Sequence, residues 1–169
     1  MRMNKKSEGK MYDPSVSTNW KEWNRRFLEM AKNTSTWSKD PNTQCGAVAI
    51  GSDRRILSVG YNGFPRGIMD NKERWDDRET KYKFVVHAEM NLIYNACHNG
   101  VSLSGATLYI VGLPVCHECA KGVIQVGFSK VIMSSEYFKP NKTNEKWLTS
   151  FADTSAMFEE AGIDFRIIE

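Results

Sequence analysis

Apolar residues follow two patterns along the chain, one typical of amphipathic helices and one typical of buried strands. Residues 19–33 place apolar side chains at steps of three and four, which predicts an amphipathic helix. Short apolar runs at 45–50 and 56–61, joined by a tight turn, predict a hairpin of two strands. The later pattern predicts helices at 87–99, 115–126 and 144–161 that alternate with strands at 107–112, 130–134 and 163–168.

This order of elements predicts an α/β fold, a three-layer α/β/α sandwich with a mixed five-stranded sheet. The stretch at 62–83 combines glycine, proline and a dense mixture of charges, so we expect one long loop that serves as a lid or partner surface. Residues 1–17 are polar and charged and are expected to be flexible. Residues 18–169 then form a single domain.

Composition narrows the choice of partners. The net charge is +3, and Lys and Arg alternate with Asp and Glu, which argues against long nucleic acid and suits a small anionic ligand. No apolar window is long enough to span a membrane, and the basic start is not followed by the apolar run of a signal peptide. We therefore expect a cytoplasmic protein with no membrane partner.

The candidate chemistry lies at two predicted helix starts. The segment PVCHEC places Cys116 and Cys119 three residues apart, so both thiols project from one helix face and can bind one ion. The segment HAEMN places His87 at another helix start, which a crossover fold can bring to the same end of the sheet. Three protein ligands leave a fourth tetrahedral position for water, which predicts one catalytic Zn²⁺.

Glu89 follows the predicted ligand His87 by two residues and is predicted to act as the general base. Two thiolates cancel the formal charge of Zn²⁺, so the metal acidifies its water less and a dedicated base is needed. HxE followed by CxxC is a signature of zinc deaminases. A lone CxxC also fits a redox pair, which would need neither His87 nor Glu89. We do not expect His98 or His117 to be ligands.

From about Trp20 onward the sequence resembles the deoxycytidylate (dCMP) deaminases of the cytidine deaminase-like superfamily. The resemblance lies in DPNTQCGAVAI, GYNGFPRGIMD, KYKFVVHAEMNLIYNA and TLYIVGLPVCHECAKGVIQVGFSKVIM. GYNGFPRG is the segment that points to the dCMP branch. One departure is Val115, which separates Pro114 from Cys116 where the family usually has proline directly before the first cysteine, although the ligand spacing is intact.

The resemblance implies a cytidine deaminase-like fold and hydrolytic deamination of dCMP to dUMP and ammonia, which supplies dUMP for thymidylate synthesis. A zinc-bound hydroxide would attack C4 of cytosine while Glu89 shuttles the proton. The implied substrate contacts are Asn62 with the deoxyribose 3′-hydroxyl, the Ala88 N–H with the cytosine carbonyl, and Tyr137 over the base or sugar.

Two of these contacts have an ordinary alternative. Asn62 precedes a glycine and could simply form a turn, and Tyr137 could be a core or rim aromatic. The candidates for the 5′-phosphate are cations whose default interpretation is solvated surface charge: Arg26, Arg66 and Lys139.

The resemblance further implies regulation at subunit contacts, with dCTP as activator and dTTP as inhibitor. The effector-binding residues would be Gly63, Phe64 and Arg66, and a triphosphate effector could bring Mg²⁺ with it. The family is typically a homohexamer, which the five tryptophans and other aromatic residues fit.

Three other functions stay open. The enzyme could also act on dCTP, or it could be a zinc deaminase of a polynucleotide or tRNA base, which would need a basic surface that the interspersed charges do not supply. It could also be a zinc-stabilised binding module without turnover. Such a module would want a fourth protein ligand, for which Cys45 is the spare thiol.

Overall fold

A mixed sheet with helices on both faces forms the framework of the molecule. The structure is a computed structural model that describes residues 20–136 and 145–168, so the N-terminal segment 1–17, Tyr137 and Lys139 lie outside the described residues. The described elements are α1 (Trp20–Ser35), β1 (Gly46–Ile50), β2 (Ile56–Tyr61), α2 (Lys72–Asp76), α3 (Arg78–Phe84), α4 (Ala88–His98), β3 (Thr107–Val111), α5 (His117–Gln125), β4 (Lys130–Ser134), α6 (Glu145–Glu160) and β5 (Asp164–Ile168).

The five strands lie in the order β2-β1-β3-β4-β5. Strand β1 is antiparallel to both β2 and β3, whereas β3, β4 and β5 run parallel. One face is covered by α1, whose Phe27 and Ala31 pack against Val48 and Tyr109. The other face is covered by α4, α5 and α6 around a second apolar cluster. The predicted three-layer sandwich with a mixed sheet is therefore confirmed.

The contact between α4 and β2 brings the two backbones unusually close together. A Cβ placed on Gly60 would stand 2.3 Å from the Leu92 nitrogen and 2.4 Å from the Ala88 oxygen. Nearby, the Ser58 hydroxyl donates to the Leu92 carbonyl at 2.8 Å. Glycine at position 60 thus lets the start of α4 rest directly on the sheet.

Two asparagines of α4 bind the outer edge of β2. Nδ2 of Asn91 donates to the Tyr61 carbonyl, and Nδ2 of Asn95 donates to the Val59 carbonyl, each at 2.8 Å. Asn91 and Asn95 are four residues apart and so lie on one face of the helix. Val59 and Tyr61 are two residues apart, so their carbonyls point to the same side of the strand. Side-chain amides therefore satisfy edge carbonyls that have no strand beside them.

The prediction of one long loop at 62–83 is wrong for the second half of this segment, which forms α2 and α3. Asn71 caps α2 by accepting from the Arg74 N–H at 3.2 Å. Asp77 caps α3 by accepting from the N–H groups of Glu79 and Thr80 at 3.2 and 3.4 Å. These caps, together with ion pairs four residues apart, stabilise two short helices in what looks like an irregular charged run.

An aromatic stack holds this segment to the rest of the domain. The rings of Phe64 and Trp75 lie 4.1 Å apart at an angle of 7°, and Phe84 packs edge-on against Phe64. Trp75 is buried, and its indole N–H donates to Asp70. In the described part of the chain, no helix combines the length and apolar character needed to cross a membrane.

Candidate metal centre

Three potential metal ligands meet where α4 and α5 begin. Nδ1 of His87 lies 3.4 Å from Sγ of Cys116 and 3.3 Å from Sγ of Cys119. The ligand atoms of the three residues all lie within 4.8 Å of one another. The structure thus brings together the three residues that the motif spacing indicates, although His87 lies 29 positions before Cys116 and 32 before Cys119.

The backbone at each helix start directs these side chains toward one point. His87 is the N-cap of α4 with extended backbone (φ −68°, ψ 158°), and its side chain makes no capping hydrogen bond, so the ring is free to face α5. Cys116 is the N-cap of α5, and its sulfur accepts from the Cys119 N–H at 3.4 Å. One residue therefore serves as both helix cap and potential metal ligand.

The charges of the three groups suit a divalent cation. Hydrogen bonding from Cys119 and from His87 outweighs burial and lowers the pKa of Cys116 to about 4. The pKa of Cys119 is raised, because its thiol hydrogen-bonds the Cys116 sulfur and is buried. Hydrogen bonding to Cys116 raises the pKa of His87. A thiolate at a helix start, a second thiol and an imidazole nitrogen form a donor set that fits one zinc ion.

Glu89 lies one residue into α4 beyond Ala88, and its side chain is buried beside the three ligands. Burial raises the pKa of Glu89 to about 7, an effect that the charge of His87 opposes. Hydrogen bonding to Cys119 also opposes this rise in the pKa of Glu89. A buried carboxyl group beside a metal site can accept and return a proton at neutral pH.

Helix α6 braces the turn that leads into α5. The Thr154 hydroxyl donates to the carbonyl of Val115 at 2.9 Å, and the Ser150 oxygen accepts from the His117 N–H at 3.0 Å. The ring nitrogen Nδ1 of His117 also lies 2.8 Å from this oxygen, so His117 faces α6 and not the ligand group. Val115, the residue that departs from the family pattern, is fully buried in the core.

No local pattern in the sequence indicates these contacts of α6 with the turn. Trp147 lies on the same side of α6, and its ring centroid is 6.3 Å from that of His87. The apolar periodicity of this helix predicts a core stripe, and Trp147 and Phe151 do pack against the core. Nothing in that periodicity distinguishes Ser150 and Thr154 from the surface serines and threonines of other helices.

Asn62 is buried at the end of β2, where its side chain organises the loop before β1. Its Oδ1 accepts from the Cys45 N–H at 2.8 Å, and its Nδ2 donates to the Thr43 carbonyl at 2.9 Å and to Asp40 at 3.3 Å. Both amide protons are thus used within the chain, which leaves an acceptor position on Oδ1. Its binding of a sugar hydroxyl stays a prediction.

The other proposed substrate residues have different placements. Ala88 is buried as the first residue of α4, where N–H groups have no acceptor within the helix, so its N–H suits a bound carbonyl. Arg26 is exposed on α1, pairs with Glu22, and lies on the opposite face of the sheet from the ligand group. Within one chain the structure does not bring Arg26 to the site.

The predicted effector residues follow β2 and approach α4. Gly63 and Val86 exchange two backbone hydrogen bonds of 3.1 and 2.9 Å, directly before His87. Phe64 takes part in the aromatic stack with Trp75. Arg66 is exposed and donates to the side-chain oxygen of Asn95.

Cys45, the spare thiol, is not part of the ligand group. Its sulfur accepts from the Leu113 N–H at 3.3 Å. Burial raises the pKa of the Cys45 thiol to about 12. This thiol is therefore protonated at neutral pH and has a local hydrogen-bonding role.

One imidazole and two thiols beside a buried glutamate, at two helix starts over a mixed sheet, define the class of zinc-dependent deaminases. The family model "Cytidine and deoxycytidylate deaminase zinc-binding region" matches residues 21–135. The chain belongs to this family of cytidine and deoxycytidylate deaminases and is a hydrolytic enzyme.

Individual relatives agree with this assignment. The chain is 36% identical over 151 residues to deoxycytidylate deaminase of Homo sapiens, covering 86% of this chain and 79% of the human protein. It is 40% identical over 147 residues to a probable deoxycytidylate deaminase of Caenorhabditis elegans, covering 85% and 68%. The dCMP deaminase of cyanophage S-TIM5, solved in complex with dCMP and dUMP, shares the fold with a TM-score of 0.67 at 21% identity, covering 87% and 97%.

Proposed function

We propose that the chain removes the 4-amino group of dCMP by hydrolysis, giving dUMP and ammonia. The observation that carries the proposal is the buried Glu89 beside His87, Cys116 and Cys119, in a chain 36% identical to human deoxycytidylate deaminase. Zinc bound by these three ligands supplies an acidified water molecule and so the nucleophile. The cytoplasm is the predicted compartment, and supply of dUMP for thymidylate synthesis is the predicted role.

Glu89 carries the protons of this reaction. Its carboxylate accepts a proton from the attacking water and delivers it to N3 of cytosine, and the oxygen bonds to C4. A second proton passes through Glu89 to the amino group, the C4–N bond breaks, and the oxygen remains as the C4 carbonyl of uracil while ammonia leaves. A pKa of about 7 suits a group that must take and return a proton at neutral pH.

Ala88 and Asn62 orient the nucleotide in this proposal. The Ala88 N–H binds the cytosine carbonyl, and its methyl side chain lets the base approach the helix start. The remaining acceptor position of the Asn62 amide binds the 3′-hydroxyl. Burial around Glu89 keeps bulk water away from the proton path.

A substrate screen tests the proposal. Zinc-loaded protein is incubated with dCMP, dCTP, deoxycytidine and an RNA hairpin, and ammonia release is measured with zinc content determined on the same sample. We expect the highest kcat/KM with dCMP. Equal turnover of dCTP would extend the substrate range, whereas turnover of the hairpin alone, or of none of the four, would refute the proposal.

We also propose regulation through Gly63, Phe64 and Arg66, with dCTP activating and dTTP inhibiting. The position of Gly63 supports this, because Gly63 makes two backbone hydrogen bonds to Val86, and Val86 directly precedes His87. Mg²⁺ would accompany a triphosphate effector. The test measures dCMP saturation curves with and without each effector and Mg²⁺, and curves unaffected by either nucleotide would refute it.

A homohexamer is the proposed assembly. Several large apolar side chains are more than a third exposed, which suits burial between subunits: Trp37, Tyr61, Met69, Tyr82 and Tyr94. Light scattering of the purified protein should give about six times the 19.3 kDa mass of one chain. A mass equal to that of one chain would refute this assembly.

A further inference from the structure

Lys81 of α3 and Asp40 of the loop before β1 form an ion pair that is shielded from solvent. Nζ of Lys81 lies 2.7 Å from both carboxylate oxygens, and the side chains are only 11% and 3% exposed. By contrast, Lys83 and Glu79 on the same helix pair at 2.6 Å with side chains 66% and 79% exposed. Burying two charges carries a desolvation cost. A buried ion pair is therefore stable only when good geometry and additional hydrogen bonds offset that cost.

The additional hydrogen bonds of Asp40 lead to the end of β2. Its Oδ1 accepts from the N–H groups of Asn42 and Thr43 at 2.9 and 3.1 Å. Its Oδ2 accepts from Nδ2 of Asn62 at 3.3 Å. One carboxylate therefore binds the ammonium of α3, shapes its own loop and orients the Asn62 side chain.

Lys81 connects this loop to the segment that leads into the metal site. Its helix ends at Phe84, and Val86 follows with its two hydrogen bonds to Gly63, directly before the ligand His87. Asn62 is the neighbour of Gly63 in the chain. The Lys81–Asp40 ion pair, the Asp40–Asn62 hydrogen bond and the Gly63–Val86 hydrogen bonds thus form a closed series of contacts. This series links α3 to the backbone at Asn62.

A second ion pair joins the loop before β1 to the chain directly before α2. Lys39 pairs with Asp70 at 3.0 Å, with side chains 68% and 32% exposed. The loop also borders a cleft of about 600 Å³ whose lining includes Asp40, Asn42 and Gln44. The position of the loop therefore affects both the direction of Asn62 and the shape of an open cleft.

We propose that Lys81 and Asp40 are positioning residues for the nucleotide substrate, acting through Asn62. This inference rests on the proposed deamination of dCMP. The zinc ligands are held separately, by the contact of α4 with Gly60 and by the brace from α6. Loss of the pair is therefore expected to weaken substrate binding while zinc content and the chemical step are retained.

Three single variants test the proposal. Lys81→Met removes the charge but keeps the stem, and Asp40→Asn removes the charge but keeps an acceptor for the loop N–H groups. Lys83→Met is the matched control on the exposed side of α3. We expect the first two variants to raise KM for dCMP about tenfold or more while kcat stays within about threefold of wild type, with Lys83→Met unchanged.

Binding without turnover supplies a second readout. In a Glu89→Gln background, the dissociation constant for dCMP measured by calorimetry should rise by the same factor when Lys81→Met is added. Lys81→Arg, which keeps the charge, should recover most of the affinity. A purely structural role would lower the unfolding temperature without moving KM or this dissociation constant.

The outcomes separate this inference from the proposed function. Wild-type protein that carries zinc but does not deaminate dCMP contradicts the proposed function itself. An active wild type with unchanged KM in both Lys81→Met and Asp40→Asn overturns the positioning role alone. If Lys81→Met does not fold, the double variant that removes both charges decides, since it leaves no unpaired buried charge, and a wild-type KM in that variant also overturns the role.

Discussion

Gly60 of β2 lies against the backbone of Leu92 in α4, at a distance that leaves no room for a side chain. A Cβ on Gly60 would stand 2.3 Å from the Leu92 nitrogen, and backbone atoms cannot swing aside as a side chain can. Because α4 begins at Ala88 and His87 is its N-cap, this contact also determines the distance of His87 from the sheet.

Gly60→Ala should therefore lower the free energy of unfolding by about 3 kcal/mol or more, since α4 must move away from the sheet. Urea unfolding and zinc content of the purified variant measure the effect, and both should fall. Gly63→Ala is the control, because its new Cβ would lie at an ordinary contact distance of 3.7 Å from the Tyr61 ring. Equal losses in the two variants would contradict this account.

Glu89→Gln should keep zinc and lose turnover. The amide has nearly the same shape but cannot carry a proton, so kcat for dCMP is expected to fall by about 10³-fold. Ammonia release and metal analysis on one sample measure both effects. Glu118→Gln, an exposed acid on α5, should retain activity. Near-full deamination by zinc-loaded Glu89→Gln would show that another group moves the proton.

Replacing single cysteines should show which thiols are needed to bind zinc and which are not. Cys116→Ser and Cys119→Ser each remove a predicted thiolate ligand and should lose most of the bound zinc after dialysis. Cys45→Ser should keep zinc, because the Cys45 sulfur hydrogen-bonds the Leu113 N–H and stands outside the ligand group. Zinc loss in Cys45→Ser would instead favour a closed structural site with four protein ligands.

Ser150→Ala should loosen the turn that carries Cys116. The variant leaves the His117 N–H without its acceptor, which is expected to cost about 1 kcal/mol of stability and to speed the loss of zinc to a chelator. Ser155→Ala is a control on the same helix, since that hydroxyl donates to the Phe151 carbonyl within α6. Equal rates of zinc loss in the two variants would mean that the brace does not stabilise the metal site.

Thiol labelling should distinguish Cys97 from Cys45 in the folded, zinc-loaded protein. Cys97 is exposed, whereas burial raises the pKa of Cys45 to about 12. At pH 8 the reactive thiolate of Cys45 is then roughly one part in 10⁴, and raising the pH increases that fraction. Mass spectrometry after iodoacetamide treatment should find Cys97 modified and Cys45 intact. Similar labelling of both thiols would contradict the burial of Cys45.

The ligand group could be predicted because its chemistry follows from local spacing. Cys116 and Cys119 lie three residues apart at a helix start, and His87 caps the preceding helix, so short motifs determine both the direction and the type of each donor. The strand runs were equally local signals, since each is a short apolar stretch bounded by polar turns. The mixed character of the sheet followed from an initial hairpin and the right-handed crossovers after it.

The remaining features depend on partners far apart in sequence. Lys81 and Asp40 are separated by 41 positions, and Thr154 and Val115 by 39, so no local pattern indicates that they meet. Helices α2 and α3 were missed because their residues are mostly charged, and the stack of Phe64 on Trp75 that anchors them is a tertiary contact. Sequence periodicity detects apolar faces, not specific polar pairs.

The asparagines of α4 also restrict how copies of the chain can meet. The carbonyls of Val59 and Tyr61 already accept from Asn95 and Asn91, so an incoming strand could not continue the sheet at β2 without displacing both amides. Subunits that meet on this side must therefore associate through side chains such as the exposed Tyr61 and Tyr94. The same two amides therefore oppose open-ended, edge-to-edge pairing of sheets into a fibre.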